Sequence, residues 1–308
     1  MLARLLQTTS LLLVAAAIGL ALLLVALGAP LIAALIAAAL LPLAFHGVPL
    51  AIEFIYGAFA DRRPGRRIGL VGAARVWLGE TWRAFISFTI DQPWRAGFAE
   101  PTTVHDPVRP AVLLVHGYFC NRAVWRPWLL GSGIGDRWNV ATINLEPVLA
   151  ALDAYVDPLR DAVESLRSAS GSERITIVAH SMGGLAVRGY LRTHGDAAVA
   201  RVITIDTPHQ GTVFARFGKG LNTRQMQRGC DYLQQLGSVA EPVEFVCFAS
   251  RDDNLIVPRE AQALACAEVI WFDRIGHLAM TASDLVLTKL IEVVERPLST
   301  QPQLDAVK

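Results

Sequence analysis

Two long apolar runs at the start of the chain predict a helical hairpin in a membrane. The first run extends from Leu11 to Leu27 and the second from Leu31 to about Ala60, with Gly28-Ala29-Pro30 as a break between them. Glu53 is the only formally charged residue in the two runs. A membrane-spanning helix needs about 20 apolar residues, so residues 1–60 have room for two such helices.

A cleaved signal peptide is the alternative interpretation of the first run. Arg4 would supply its positive start, and Ala26-Leu27-Gly28 has the small residues that a cleavage site needs. The second run would still remain as a membrane segment. A buried hairpin in a soluble core is disfavoured, because the rest of the chain offers too little apolar cover. We therefore predict two transmembrane helices.

A basic stretch follows the second run and predicts the orientation in the membrane. Its four arginines lie within six positions, at Arg62, Arg63, Arg66 and Arg67. Arginines beside a span mark its cytoplasmic side, so we expect a bacterial inner-membrane protein whose remaining chain is cytoplasmic. Residues 61–109 would form a linker, helical over 68–98, that lies along the membrane surface or packs on the following domain; both alternatives stay open.

From about residue 110 the pattern changes to short apolar runs that alternate with amphipathic stretches of helix length. This alternation predicts an α/β fold, with a mostly parallel sheet and helices on both of its faces, over residues 110–297. Residues 298–308 would be a flexible tail. The predicted strands are Ala111–His116, Val140–Leu145, Ile175–His180, Val202–Asp206, Val243–Ala249 and Val269–Phe272. The predicted helices are Tyr155–Ser168, Met182–Thr193, Thr223–Leu236, Pro258–Cys266 and Thr281–Glu295.

Composition changes this picture little. Hydrophobic residues make up 53% of the 308 residues, and the excess lies in the two N-terminal runs. A net charge of +1 and the lack of a basic stripe with interleaved aromatics exclude a nucleic-acid partner. The four cysteines are widely spaced, with no zinc pattern.

Ser181 stands where a catalytic nucleophile is expected. The segment Ala179-His180-Ser181-Met182-Gly183-Gly184 follows a predicted strand directly and precedes a predicted helix. A nucleophile elbow needs this strand–turn–helix context, with small residues two positions on either side of the serine. Ala179 replaces the usual first glycine and is still small. An ordinary strand-to-helix turn would share the pattern, so the prediction depends on the neighbouring motifs.

The strand that ends in His116-Gly117 predicts an oxyanion loop upstream of the elbow. Two N–H donors must converge on one developing oxyanion. We expect the backbone N–H of Met182 as one donor and that of Tyr118, or alternatively Phe119, as the other. Gly117 lets the backbone turn inward, and His116 is expected to shape this substrate-side loop rather than to act as the base.

Two further segments supply an acid and a base. Ser250-Arg251-Asp252-Asp253-Asn254 follows a late strand, and Gly276-His277 follows the last one. We predict His277 as general base and Asp253, with Asp252 as the alternative, as the carboxylate that orients it. The order Ser181, Asp253, His277 is the chain order of α/β-hydrolases.

Residues 110–295 resemble bacterial triacylglycerol lipases and esterases of the α/β-hydrolase superfamily. The resemblance rests on Val115-His116-Gly117-Tyr118, on the elbow, and on Thr207-Pro208-His209-Gln210-Gly211-Thr212, which is similar to a segment of lipases and of lipid-anchor deacylases. It implies a serine–aspartate–histidine triad without metal or organic cofactor. It also implies that His209 lines or supports the pocket floor, and that residues 213–240 form a short cap in which Phe214 meets the acyl group.

Three functions fit these features. The leading hypothesis is hydrolysis of carboxylic esters with an apolar acyl group, with a lipid or acyl ester as substrate and the membrane as the site of action. The second is transfer of the same acyl group to another acceptor. The third is a non-enzymatic membrane protein that uses a hydrolase-like scaffold for binding or transport, which the complete set of triad residues disfavours.

Overall fold

The computed structural model describes residues 1–60, 68–98, 105–237 and 243–298. Its centre is a six-stranded sheet in the order β2-β1-β3-β4-β5-β6, in which every neighbouring pair is parallel. The strands are β1 (Ala111–Val115), β2 (Asn139–Ile143), β3 (Ile175–His180), β4 (Val199–Ile205), β5 (Glu244–Ser250) and β6 (Glu268–Phe272). The predicted parallel sheet is confirmed, and each predicted strand has an observed counterpart.

Helices of very different length surround this sheet and precede it. The longer ones are α1 (Leu2–Ala26), α2 (Leu31–Ala60), α3 (Leu70–Phe85), α7 (Val156–Ser170), α8 (Met182–His194) and α11 (Asp284–Glu295). The shorter ones are α4 (Gln92–Trp94), α5 (Arg126–Gly131), α6 (Ile134–Arg137), α9 (Leu221–Gln225) and α10 (Asp231–Gly237). Single 3₁₀ turns occupy Arg122–Trp125, Leu152–Tyr155, Val213–Phe217, Arg259–Gln262 and Ala279–Ala282.

The sheet is covered on both faces, which explains why its strands are apolar without alternation. Successive residues of β1 enter different clusters: Leu113 and Val115 pack with α7 and α8, whereas Val112 and Leu114 pack with α5 and α11. Burial of both faces is the main source of apolar stabilisation in such a layered domain. The prediction of helices on both faces is thus confirmed.

Two of the predicted helices are not continuous helices in the structure. The predicted helix Thr223–Leu236 is two short helices, α9 and α10, separated by Gly229 in the left-handed region at φ 75°. The predicted helix Pro258–Cys266 is a single 3₁₀ turn, because the Gln262 side chain exchanges two hydrogen bonds with the backbone of Ser250 at the end of β5. These bonds fix Gln262 against β5, and the carbonyl of Ala261 accepts the N–H of Gln210 at 3.1 Å in place of a helical donor.

The N-terminal helices α1 and α2 are each long and apolar enough to cross a membrane, by length and composition. Apolar side chains from Leu11 to Leu40 are largely exposed along them. Their opposite ends dock on the α/β domain, where Leu2 and Leu6 of α1 pack against Val148. The arrangement fits a hairpin whose distal part needs an apolar environment and whose base is part of the folded domain.

The segment 68–98 packs on the domain rather than standing apart from it. Helix α3 continues through a π-helical turn, Ile86–Asp91, into α4. Glu80, Arg83 and Asp91 on its inner face are buried, whereas Trp82 and Trp94 are exposed on the outer face. Packing on the domain, one of the two alternatives, is thus observed, whereas contact of the exposed face with the membrane surface stays a prediction. The arginines at 62, 63, 66 and 67, the end of the cap at 238–240 and the tail from 299 onward lie outside the described residues.

Candidate active site

Ser181 lies at a sharp turn between β3 and α8. Its φ of 54° and ψ of −127° are costly for a residue with a side chain, and the Ser181 N–H donates to the carbonyl of Ile205 at 2.8 Å. Small neighbours permit this turn. A Cβ on Gly183 would lie 2.5 Å from the carbonyl oxygen of His116, and one on Gly117 would lie 2.8 Å from the Ser181 Cβ.

The structure brings the three predicted side chains into one hydrogen-bonded line. His277 Nε2 lies 3.0 Å from Ser181 Oγ, and His277 Nδ1 lies 2.7 Å from Asp253 Oδ2. Asp253 Oδ1 accepts the backbone N–H groups of Leu255 at 2.6 Å and Ile256 at 2.7 Å. These distances are those of a nucleophile, a base and a carboxylate that orients the base.

Asp252 points elsewhere, although it is adjacent to Asp253. Its Oδ2 accepts the backbone N–H of Arg274 at 2.6 Å on the protein surface. Asp253 is fully buried, and its second oxygen is held by the turn that follows it. Of the two adjacent carboxylates, only Asp253 therefore has the geometry to orient His277.

The predicted oxyanion loop lies against the turn at Ser181, which Gly117 approaches closely. Within the described part of the chain, the backbone N–H groups of Tyr118, Phe119 and Met182 donate to no protein acceptor. Met182 is the first residue of α8, where backbone N–H groups are left without intrahelical partners and the helix dipole favours negative charge. Phe119 adopts a φ of 52°, so the loop turns sharply after Tyr118.

His116 is a structural element of that loop. Its Nε2 accepts the N–H of Leu145 at 2.9 Å, so its Nδ1 carries the proton and donates to the carbonyl of Gly117, also at 2.9 Å. Burial lowers the pKa of His116 to about 4, so it stays neutral. Both ring nitrogens are committed to backbone, as the sequence interpretation expects.

The other predicted substrate-side residues divide into supporting and lining positions. His209 is buried with Nε2 3.0 Å from Thr204 Oγ1 on β4 and 3.7 Å from Cys247 Sγ on β5, so it supports these two neighbouring strands. Phe119 packs on the cluster formed by Leu2 and Leu6 of α1. Phe214 is half-buried, and its ring centroid lies 5.2 Å from that of Tyr56 on α2. The ends of α1 and α2 that lie next to the domain therefore contact the predicted oxyanion loop at Phe119 and the predicted cap at Phe214.

A family model described as alpha/beta hydrolase fold matches residues 110–229, which include Ser181. Among solved structures, a Bacillus licheniformis lipase, BlEst2 in mature form, is similar with a TM-score of 0.53 at 16% identity, over 63% of this chain and 96% of that one. Aspergillus fumigatus lipase B is similar with a TM-score of 0.55 at 15% identity, over 68% of this chain and 58% of that one.

The chain has the α/β-hydrolase fold. At these identities the likeness concerns the fold. In this fold Ser181 follows the third strand, Asp253 follows the fifth and His277 follows the sixth, so all three meet at the carboxyl edge of the sheet. That edge is where parallel α/β sheets place their ligands.

Sequence reasoning missed a second buried carboxyl beside the base. Asp206 follows β4, and its Oδ2 lies 3.9 Å from His277 Nδ1 while its Oδ1 accepts the N–H of Ser250 at 2.7 Å. Burial, together with the charge of Asp253, raises the pKa of Asp206 well above its ordinary value. Its place after a strand that ends at the active edge is the signal that could have identified it.

Distance alone would also let Asp206, Asp253 and His277 hold a metal ion, since each offers an atom within 4.8 Å of the others. Both ring nitrogens of His277 are already engaged, however, one with Asp253 and one with Ser181. We therefore interpret Asp253 and His277 as a hydrogen-bonded pair with Asp206 beside it, and not as metal ligands.

The pH dependence of such a site follows from His277. Burial by itself would lower the pKa of His277, but the negative charge and hydrogen bond of Asp253, with further negative charge from Glu80 and Glu53, raise it above the ordinary value of 6.5. The base must be neutral to accept a proton, so activity should rise with pH. We expect the acid limb of kcat/KM, measured on a water-soluble ester, to lie above pH 6.5. A limb below that value would contradict this electrostatic picture.

Proposed function

We propose that this α/β-hydrolase is a membrane-anchored serine hydrolase that cleaves carboxylic esters with an apolar acyl group. The observation that carries the proposal is the line from Ser181 Oγ through His277 to Asp253, with distances of 3.0 and 2.7 Å, at the tip of a strained elbow. Activated serine in this arrangement attacks acyl groups.

The geometry fits a two-step reaction. His277 Nε2 takes the Ser181 proton as Oγ attacks the ester carbonyl carbon, and the N–H groups of Met182 and Tyr118 stabilise the oxyanion. The tetrahedral intermediate expels the alcohol, which receives the proton from His277, and leaves an acyl group on Ser181. Water, deprotonated by His277, then attacks the acyl carbon, and His277 returns that proton to Ser181 Oγ as the acid is released.

The apolar acyl class is supported by what surrounds the serine. The base of the hairpin reaches the site from two sides, with Leu2 and Leu6 against Phe119 and with Tyr56 against Phe214. An acyl chain that leaves a bilayer along α1 or α2 would thus meet apolar side chains up to the elbow. A lipid ester in the membrane is the substrate class that this path suits.

We place the protein in a bacterial inner membrane with its catalytic domain on the cytoplasmic side, following the arginines between α2 and α3.

An acyl-chain series tests the proposed function. Detergent-purified protein is assayed on p-nitrophenyl esters from short to long acyl chains, and a fluorophosphonate probe is mapped by peptide mass spectrometry. We expect labelling at Ser181 and kcat/KM that increases with chain length. Folded protein that neither hydrolyses any ester nor takes up the probe would reject the proposal. Product analysis with an added alcohol separates hydrolysis from acyl transfer.

Phe214→Ala sharpens this test, because it removes an aromatic ring from the cap next to Tyr56. We expect about a tenfold loss of kcat/KM on long-chain esters and little change on acetate, since apolar contacts discriminate by about 1–3 kcal/mol. Phe217→Ala is the matched control, because that ring lies in the same turn but is 69% exposed. Equal losses on short and long esters would mean that Phe214 does not contact the acyl chain.

A further inference from the structure

The loop that carries His277 is held by a carboxylate from a distant part of the chain. Glu80 of α3 accepts the backbone N–H of Leu278 through Oε1 at 2.7 Å and that of Ala279 through Oε2 at 2.9 Å. Leu278 and Ala279 are the two residues that follow His277. Each carboxylate oxygen therefore holds one donor of the loop, next to the proposed base.

The contact is close and buried. Glu80 is 1% exposed, and a Cβ added to Gly276 would collide with Glu80 Oε2. A side chain at position 276 would thus displace either the loop or the carboxylate. Glycine on the other side of His277 allows the loop to lie against Glu80.

A second contact reaches the same loop from α2. Asn254 is fully buried; its Nδ2 donates to Glu53 Oε2 at 2.7 Å, and its Oδ1 accepts the backbone N–H of His277 at 3.2 Å. The residue before Asn254 is Asp253, which binds the His277 ring. Helices α2 and α3 thus hold the histidine loop through the partly buried carboxylate of Glu53 and the buried carboxylate of Glu80.

A buried carboxylate at this place has a cost that apolar packing would avoid. Taking a charge out of water destabilises the fold unless hydrogen bonds compensate, and an apolar residue of similar volume is often as stabilising. Burial raises the pKa of Glu80, whereas the two N–H donors act in the opposite direction by favouring its charged form. What an apolar side chain could not do is fix two consecutive amides of a catalytic loop.

We propose that Glu80 is a positioning residue for His277, supported by Glu53 through Asn254, so that the N-terminal helices complete the catalytic centre. The proposal rests on the proposed function, in which His277 is the base. Glu80 touches no reacting atom. It fixes the path of the loop and hence the distance from His277 Nε2 to Ser181 Oγ, and its charge acts on the His277 ring.

Glu80→Gln is the direct test. An amide of the same size can accept only one of the two N–H groups and turns its own NH₂ towards the other. We expect kcat to fall about 10- to 100-fold with KM little changed, because a small misplacement of a catalytic group costs this much. Hydrogen exchange of a peptide spanning 273–282 should become faster in the variant.

The pH profile separates positioning from mere structural support. The titratable groups that face His277 are Asp253, Asp206, His180, Glu80 and Glu53. Removing the negative charge of Glu80 lowers the pKa of His277, so the acid limb of kcat/KM should move to lower pH in Glu80→Gln. Glu80→Asp keeps the charge but withdraws it by one methylene, so its kcat should fall while its acid limb stays near that of the wild type.

Thr81→Val is the matched control, because Thr81 is the next residue of α3, is buried and makes no side-chain hydrogen bond. We expect its kcat and acid limb to equal those of the wild type. Wild-type kcat and an unshifted limb in a folded Glu80→Gln would overturn the inference. If that variant does not fold, wild-type kcat in Glu80→Asp would overturn it. An inactive wild-type protein would instead reject the proposed function.

Discussion

Ser181→Ala is expected to lower kcat for ester hydrolysis by about 10⁴-fold or more, because it removes the atom to which the acyl group becomes attached. The hydroxyl lies 3.0 Å from the only ring nitrogen of His277 that faces it, and alanine fits the turn at φ 54° as well as serine does. Folding should therefore be retained. Residual activity would come from binding and the oxyanion donors alone.

The measurement is kcat on the preferred p-nitrophenyl ester, with fluorophosphonate labelling of the same preparation. Ser168→Ala is the control, because Ser168 is exposed on α7 in the same domain and should leave both readouts unchanged. Ser181→Ala protein that still hydrolyses the ester within tenfold of the wild type would show that another group is the nucleophile.

Asp253→Asn is expected to lower kcat by about 10⁴-fold, an effect of the same order. The Asp253 carboxylate accepts from His277 Nδ1 at 2.7 Å and holds the tautomer in which Nε2 is free to take the Ser181 proton. An amide NH₂ in that place favours the opposite tautomer and no longer stabilises the imidazolium. Asp206 does not substitute in this geometry, because its Oδ2 lies 3.9 Å from His277 Nδ1, beyond hydrogen-bond distance.

Asp252→Asn provides the matched comparison, since it makes the same chemical change one residue earlier. The Asp252 carboxylate accepts a backbone N–H from Arg274, which an amide oxygen can also do. We expect its kcat to remain within about threefold of the wild type, as for most surface substitutions. The measurement is a steady-state assay of kcat for both variants. Equal losses of kcat in the two would mean that the substitutions disrupt the loop as a whole and not the orientation of His277.

The local segments of this protein were predictable from the sequence. Each of the six strands contains a short run of apolar residues, and in β1, which is buried on both faces, all five positions are apolar. The turn at Ser181 was also predictable, because the small residues that it requires lie close to Ser181 in the sequence. A side chain at Gly183, for example, would clash with the backbone. The two N-terminal runs are long enough that their helical form follows from length and composition.

Two helices were predicted wrongly, one because of a distant hydrogen-bond partner and the other because of a glycine within the segment. The amphipathic pattern over 258–266 predicts a helix, but hydrogen bonds from Gln262 to β5 hold the segment as a single 3₁₀ turn. The pattern over 223–236 is interrupted at Gly229. Periodicity describes which side chains could share a face and carries no information about the partners that compete for the backbone.

The sequence by itself predicted the class of fold, the positions of its strands along the chain and the three segments that supply Ser181, Asp253 and His277. Only the tertiary structure decided which of two adjacent aspartates faces His277, because one residue along a loop reverses the direction of a side chain. It alone placed Asp206 beside the base. It alone brought Glu80 to the histidine loop across 198 residues of chain, since a buried hydrogen bond between such distant segments exists only once the helices have packed on the sheet.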